Sequence, residues 1–206
     1  MRSRREFPRR REKPTMLIVG EGQQTEPNYF HGLKREDAVR GRFALTVKRG
    51  PGHSPEAVVR TALDLMKGAA QRKDNYDQVW CVLDIEGLQK RQSLVAAIAL
   101  AERNGIHLCL SNPSFEVWLL AHFERRAGHF LHGDAVVTEL NKAWQKHLGR
   151  DYEKNDEHLY RRISDRTTVA ITNARSVLET DHRNKPCIEA NSSTEVYKLV
   201  KRLLGQ

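Results

Sequence analysis

The order of apolar and polar residues divides the first half of the chain into short strands that alternate with helices. Apolar or alternating runs predict strands at residues 16–19, 43–47, 79–84 and 106–110. Between them, apolar residues at helical spacing predict amphipathic helices, one of which Ser54 caps and Pro55 opens. Because strand and helix alternate four times, the pattern favours βαβ units and a parallel sheet.

Helices are predicted for most of the second half of the chain. Asn112 is expected to cap a helix that Pro113 opens, and apolar residues surround so much of this helix that it must be largely buried. Thr25 is expected to cap the first helix, and Ser192 with Glu195 forms a candidate capping box for the last one. We therefore predict an α/β fold, with a mainly parallel four-stranded sheet flanked by helices and a helical C-terminal extension.

Length and composition exclude several protein classes. The 206 residues suffice for a self-sufficient core, and we predict a basic tail at 1–14, an α/β domain at 15–127 and a helical extension packed on it at 128–206. No stretch approaches the roughly 18 consecutive apolar residues of a membrane span, and no apolar signal segment follows the basic N-terminus. The three cysteines lie far apart without metal-ligand spacing. We therefore expect a protein of the reducing cytoplasm.

The net charge of +9 favours an anionic partner, because clustered basic residues release counterions from polyphosphates. Residues 1–14 hold seven basic and two acidic residues, a surplus of five positive charges. This tail is either a solubilising segment or an arm that binds nucleic-acid phosphates. In the second interpretation the contacts are made by Arg4, Arg5, Arg9, Arg10 and Arg11.

Carboxylates follow two of the predicted strands, and one lies in the first turn of a predicted helix. Glu21 lies between two glycines after the first strand, and Asp84 with Glu86 ends the third, two positions apart, so that both can face one cation. Glu116 is a charge on a very apolar helix, where it needs a partner. Carboxylate oxygens are the ligands that Mg²⁺ prefers. The pattern leaves two alternatives open: a metal site, or solvated loop and capping residues.

Two motifs resemble those of the RloB-like family. The first is GEG at residues 20–22 followed by TEPNYF at 25–30, the second is NPSFEVWLLAHF at 112–123, and NSST at 191–194 also fits, so that the similarity spans roughly 16–204. That family is similar to TOPRIM domains, in which a strand-end Glu and an Asp-x-Asp pair organise Mg²⁺ for phosphoryl transfer. Its genes accompany antiphage loci, often beside an ATPase. The resemblance therefore implies a TOPRIM or Rossmann-like fold.

The resemblance also implies roles for individual residues. Glu21 matches the TOPRIM glutamate, and Asp84 with Glu86 occupies the Asp-x-Asp position, although the second acid here is Glu, which moves its oxygens by one methylene. These three acids are the expected catalytic residues and hold Mg²⁺, or Mn²⁺ in its place, with Glu116 as an outer ligand. Expected positioning residues are Thr25, Glu26, Asn112 and Ser114, and expected phosphate contacts are Lys154 and Arg161.

The leading hypothesis is a Mg²⁺-dependent nuclease of the TOPRIM type, which acts on DNA or RNA in bacterial antiphage defence with an ATPase partner. The first alternative is a subunit that binds or senses nucleic acid without cleaving it, because the Asp84 and Glu86 pair departs from the family pattern. The second is an assembly protein for the ATPase. The sequence does not determine the substrate or the oligomeric state.

Overall fold

Five strands form one sheet in the computed structural model of the chain, which describes residues 13–52, 54–85 and 91–206. The strands are β1 (Thr15–Gly20), β2 (Ala44–Arg49), β3 (Gln78–Asp84), β4 (His107–Asn112) and β5 (Ser193–Thr194). They lie in the order β2-β1-β3-β4-β5, and the first four are parallel whereas β5 is antiparallel to β4. The predicted α/β class and the four predicted strands are confirmed.

The expected strand number of four was wrong because of β5. This strand is two residues long and pairs Ser193 with Asn112 and Thr194 with Ser111. Two residues are too few to produce an alternating pattern, so that the strand is defined only by its partner. It extends the parallel sheet by one short antiparallel edge.

Helices connect and cover the strands. They are α1 (Thr25–Leu33), α2 (Asp37–Arg42), α3 (Pro55–Gln71), α4 (Arg91–Arg103), α5 (Glu116–Ala121), α6 (Gly133–Leu148), α7 (Leu159–Ile163), α8 (Thr167–Ser176) and α9 (Val196–Leu204). Short 3₁₀ turns occupy Ser164–Arg166 and Cys187–Glu189, and a π turn occupies Val177–Asp181. Within the described ranges, none of the helices has the length and apolar character that crossing a bilayer requires.

Two hydrophobic clusters lie on opposite faces of the sheet. Met16 and Ile18 point to one face, where α1, α2 and α5 to α9 pack, and Leu17 and Val19 point to the other, where α3 and α4 pack. The buried strands are therefore apolar on both faces, which explains their continuous apolar runs. The larger cluster draws residues from both sides of the predicted boundary at residue 128.

One predicted helix start is confirmed and three predicted caps are wrong. The Ser54 hydroxyl accepts a hydrogen bond of 3.3 Å from the Ala57 N–H, as expected of a cap. Thr25 is instead the first residue of α1, and its hydroxyl donates to the Lys154 carbonyl at 3.3 Å. The partner of this hydroxyl lies far away along the chain, so that no local pattern predicts it.

Asn112 and Ser192 also have distant partners in place of helix ends. The Asn112 amide donates to the Cys187 carbonyl at 2.9 Å from the end of β4, and α5 begins only at Glu116. The Ser192 hydroxyl donates to the Gly128 carbonyl at 2.9 Å, while Thr194 Oγ1 accepts from the Val196 N–H at the start of α9. These polar side chains therefore fix the loops around β5.

Candidate active site

The carboxyl ends of β1 and β3 form the crevice at which the direction of the chain crossings reverses. After β1 the chain passes to α1 on one face of the sheet, whereas α4, the helix after β3, packs on the other face. Since β1 and β3 are neighbours, their loops diverge and leave a crevice between them. Open α/β sheets bind ligands in this position. Glu21 follows β1, and Asp84 ends β3.

Glu21 links the ends of these two strands. Its N–H donates to the Val82 carbonyl at 3.0 Å, and its Oε2 accepts a 3.0 Å hydrogen bond from the Asp84 N–H. The Glu21 residue is only 6% exposed. This acid is therefore held by backbone groups beside the half-buried Asp84.

Glu26, in the first turn of α1, is a second buried acid, with 4% exposure. Its Oε1 accepts a 2.9 Å hydrogen bond from the Gly22 N–H. Burial raises the pKa of Glu26 to about 7, and the negative charges of Glu116 and Glu21 raise it as well, against the lowering effect of backbone hydrogen bonds. Glu26 therefore lies close enough to Glu21 and to Glu116 to be repelled by the charge of each.

Glu116, the first residue of α5, is the third buried acid, with 5% exposure. The Ser114 hydroxyl donates to its Oε2 at 2.7 Å, and the Tyr152 hydroxyl donates to its Oε1 at 3.4 Å. Lys154 Nζ lies 3.6 Å from Oε1. Burial raises the pKa of Tyr152, and the charge of Glu116 raises it further. The buried charge of Glu116 therefore has one cation and two hydroxyl donors as partners, all from outside α5.

These residues surround an open cleft of about 240 Å³, which we call the acidic cleft. Its walls come from the loop after β1, the start of α1, the end of β3, the segment from β4 to α5, the start of α6, and the segment between α6 and α7 that carries Lys154. The lining residues are Gly22, Gln23, Gln24, Thr25, Glu26, Asp84, Ser114, Phe115, Glu116, Gly133, Asp134 and Lys154. Acidic side chains outnumber the single lysine in this lining.

The donor set has the chemistry of a Mg²⁺ or Mn²⁺ site, since hard carboxylate oxygens face an opening with excess negative charge. Within residues 13–52, 54–85 and 91–206, however, no three acidic, histidine or cysteine side chains converge on one point as a metal would require. Glu86 lies outside the described residues. The described acids fit such an ion by their chemistry and buried charge.

Seven of the nine predicted site residues that the structure describes meet at this cleft. Those that lie in or beside it are Glu21, Thr25, Glu26, Asp84, Ser114, Glu116 and Lys154. Asn112 is bonded to the carbonyls of Cys187 and Ile188 and is absent from the lining, and Arg161 is an exposed residue of α7 outside it. Arg4, Arg5, Arg9, Arg10 and Arg11 lie, like Glu86, outside the described residues.

The sequence did not reveal the role of Tyr152. Tyr152 is partly buried against Trp144, with ring centroids 5.4 Å apart. Tyr160 is only 4% exposed and contacts Tyr29 edge to face at 5.2 Å. Both rings belong to the core, and Tyr152 adds a donor to the acidic cleft.

Comparison with known proteins identifies one matching family model. Residues 16–203 match the family model described as RloB-like protein. No curated protein and no solved structure matches the chain. The match covers almost the whole span of the motif resemblance and confirms it.

Proposed function

The chain belongs to the RloB-like protein family, and from this membership and the acidic cleft we propose that it is a metal-dependent nuclease of the TOPRIM type. Its substrate is the phosphodiester backbone of DNA or RNA. The supporting observation is the set of three nearly buried carboxylates, Glu21, Glu26 and Glu116, around a cleft with one lysine. Buried charge of one sign is costly unless a counter-ion neutralises it.

The proposed metal ligands are Glu21, Asp84, Glu86 and Glu116. A bound Mg²⁺ or Mn²⁺ would neutralise the phosphate and stabilise the leaving oxygen. In the hydrolysis, a water oxygen bonds to phosphorus, one P–O ester bond breaks, and the proton released by water balances the proton taken up by the leaving oxygen. Lys154, the only basic residue of the described lining, contacts a phosphate oxygen, and Ser114 fixes the orientation of Glu116.

A cleavage screen tests the proposal. The full chain is incubated with labelled single-stranded DNA, duplex DNA, tRNA and other RNA in Mg²⁺, Mn²⁺ or EDTA. We expect metal-dependent cleavage of at least one substrate, with a loss of at least about 100-fold in Glu21→Gln and Asp84→Asn. Glu102→Gln, an exposed acid of α4, is the matched control and should cleave like the wild type. Cleavage that survives Glu21→Gln would refute the proposed site.

Metal binding has a second readout that does not depend on cleavage. A ligand of the native state raises the melting temperature, by several degrees at 100 times its Kd for a chain of this size. We expect Mn²⁺ to raise the melting temperature of the wild type and of Glu102→Gln, and to have a much smaller effect on Asp84→Asn. Equal shifts in all three proteins would place the metal elsewhere.

A second candidate function is nucleic-acid binding without cleavage, as a sensor or assembly subunit. It is favoured by the absence of three converging ligands among the described residues and by the Asp84 and Glu86 departure from the Asp-x-Asp pattern. Binding that weakens with salt, without cleavage in any metal, would support it.

We extend the proposal to antiphage defence with an ATPase partner, since the family resemblance implies both. Plaque assays of cells that express the chain with and without the ATPase test this extension. Protection should require both proteins and should be lost in Glu21→Gln. Protection by Glu21→Gln would contradict it.

A further inference from the structure

A cluster of five basic side chains lies outside the acidic cleft, where α1 ends beside the end of β2. It consists of His31, Lys34, Arg35, Lys48 and Arg49, and all five are exposed. Partial burial lowers the pKa of His31, and the positive charges of Lys34, Arg49, Arg35 and Lys48 lower it further. The four cations therefore act on one point of the surface, which we call the α1–β2 basic patch.

The cations of this patch lie together without an acid between them. Several exposed basic side chains elsewhere pair with acids, as Arg60 does with Glu56 at 2.6 Å and Arg126 with Glu139 at 2.9 Å. None of the four patch cations forms an ion pair with an acid in the part of the chain that the structure describes. Glu36, the acid next to them in sequence, acts on the Tyr160 hydroxyl. The positive charge of the patch is therefore available to bind an anionic group of another molecule.

The patch adjoins the acidic cleft through the end of β2. Strand pairing sets Lys48 beside Val19 and Arg49 beside Gly20, the last residue before Glu21. The next residue, Gly50, packs so closely on the loop after β1 that an added Cβ would lie 2.3 Å from the Gly20 carbonyl oxygen. The Gly50 carbonyl also accepts a hydrogen bond from the Gln23 amide of the cleft wall. A strand bound on the patch would therefore reach the cleft directly.

We propose that the α1–β2 basic patch binds the phosphodiester backbone of a nucleic-acid strand and leads it into the acidic cleft. The proposal rests on the proposed function for the fate of that strand, but its binding step stands by itself. Clustered Lys and Arg side chains attract the phosphates of a strand, whereas the acidic cleft repels those phosphates until a cation is bound. Lys34 and Arg35 hold the outer part of the strand, and Arg49 holds the part nearest the cleft.

Binding assays in EDTA test the patch apart from cleavage. Fluorescence anisotropy measures the Kd of the full chain for labelled 30-mers of single-stranded DNA, duplex DNA and single-stranded RNA over a range of NaCl. The patch variant replaces the four cations by glutamine: Lys34→Gln, Arg35→Gln, Lys48→Gln and Arg49→Gln. We expect at least a tenfold loss of affinity at 0.1 M NaCl, and a decrease of about 3 in the slope of log K against log salt.

The matched control removes the same charge from other exposed positions that lack ion pairs in the described structure. It carries Arg72→Gln, Arg103→Gln, Lys146→Gln and Lys185→Gln. Its affinity should stay within about threefold of the wild type, because net charge alone contributes little at this salt concentration. Equal losses of affinity in the two variants would overturn the proposed role of the patch, as would a wild type that binds no nucleic acid.

A variant with added positive charge distinguishes a loss of charge contacts from damage to the fold. His31→Lys adds a cation at the centre of the patch and should tighten binding by a few fold. Polyglutamate serves as a competitor, and it should displace the labelled strand far less effectively than unlabelled nucleic acid of equal charge. Equal competition would assign the patch to an acidic protein and contradict the proposal.

The two proposals fail in different ways. Loss of binding in the patch variant without any cleavage by the wild type would support the patch and refute the nuclease. Cleavage by the wild type with unchanged KM in the patch variant would support the nuclease and refute the patch. If both hold, the patch variant raises KM more than it lowers kcat, whereas Glu21→Gln lowers kcat.

Discussion

Oε2 of Glu21 accepts a hydrogen bond of 3.0 Å from the backbone N–H of Asp84, so that one acid of the site joins the ends of two neighbouring strands. The same side chain is therefore a structural link and a candidate ligand. Its two roles can be separated, because a glutamine keeps an oxygen acceptor but loses the charge.

The effect of replacing Glu21 on stability should depend on whether the new side chain can still accept the hydrogen bond from the Asp84 N–H. Glu21→Ala removes the acceptor of the Asp84 N–H and should lower the free energy of unfolding by about 1–3 kcal/mol. Glu21→Gln should lower it by less. Urea unfolding measures both variants, with the exposed Glu102→Ala as the control, which should stay within about 0.5 kcal/mol of the wild type. A Glu21→Ala protein as stable as the wild type would contradict the role of this bond.

Glu26 should make the protein less stable as the pH rises. The pKa of Glu26 in the folded protein, about 7, lies above its ordinary value of 4.5, so that between these pH values the native state holds a proton that the unfolded state has lost. The contribution of Glu26 to stability therefore falls from pH 4.5 to 7, and its loss is complete above pH 7. Glu26→Gln, which can still accept from the Gly22 N–H, should be more stable than the wild type at pH 8 by up to about 3 kcal/mol, and similar to it at pH 4.5. Urea unfolding in EDTA at several pH values checks this, and parallel curves for the two proteins would exclude it.

The titration of His122 should change the stability in the opposite direction over nearly the same pH range. Burial lowers the pKa of His122 to about 4, from its ordinary value of 6.5, while its Nδ1 lies 3.0 Å from the Trp118 carbonyl oxygen. Between pH 6.5 and 4 the unfolded state binds the extra proton, so that stability falls as the pH falls. The effects of Glu26 and His122 thus oppose each other between pH 4.5 and 6.5. In Glu26→Gln the His122 effect is unmasked, and stability should fall on acidification by up to about 1.4 kcal/mol per pH unit. The double variant Glu26→Gln/His122→Gln should lose this slope, and a persistent slope would assign it to another group.

Gly50 should not tolerate a side chain. An added Cβ would lie 2.3 Å from the Gly20 carbonyl oxygen and 3.4 Å from that of Glu21, and these backbone atoms are fixed by strand pairing. Gly50→Ala should therefore lower the free energy of unfolding by about 1–3 kcal/mol. Gly41→Ala, in α2 with nothing within 4 Å of the added Cβ, is the control and should be neutral or stabilising by up to about 1 kcal/mol. Chemical denaturation compares the two, and equal stabilities would show that the loop after β1 can move.

The sequence by itself determined the four long strands. Few other folds are compatible with continuous apolar runs that are each followed by a helix. It also determined that Glu21 and Asp84 stand at strand ends, since the apolar runs stop there. The family motifs located Glu116, which lies in the first turn of its helix as expected, although α5 begins at Glu116 itself and not at Pro113. These features depend on residues that are neighbours along the chain, and local periodicity records them.

The tertiary structure alone decided which groups face the acids. Tyr152 and Lys154 reach Glu116 from more than 30 positions away, and Thr25 is held by the Lys154 carbonyl rather than by its own helix. The short β5 exists only because β4 offers it an edge. The α1–β2 basic patch likewise unites two segments whose positive charges are unremarkable along the chain. Contacts of this kind leave no period in the sequence, because their energy depends on how distant elements pack and not on the order of neighbouring residues.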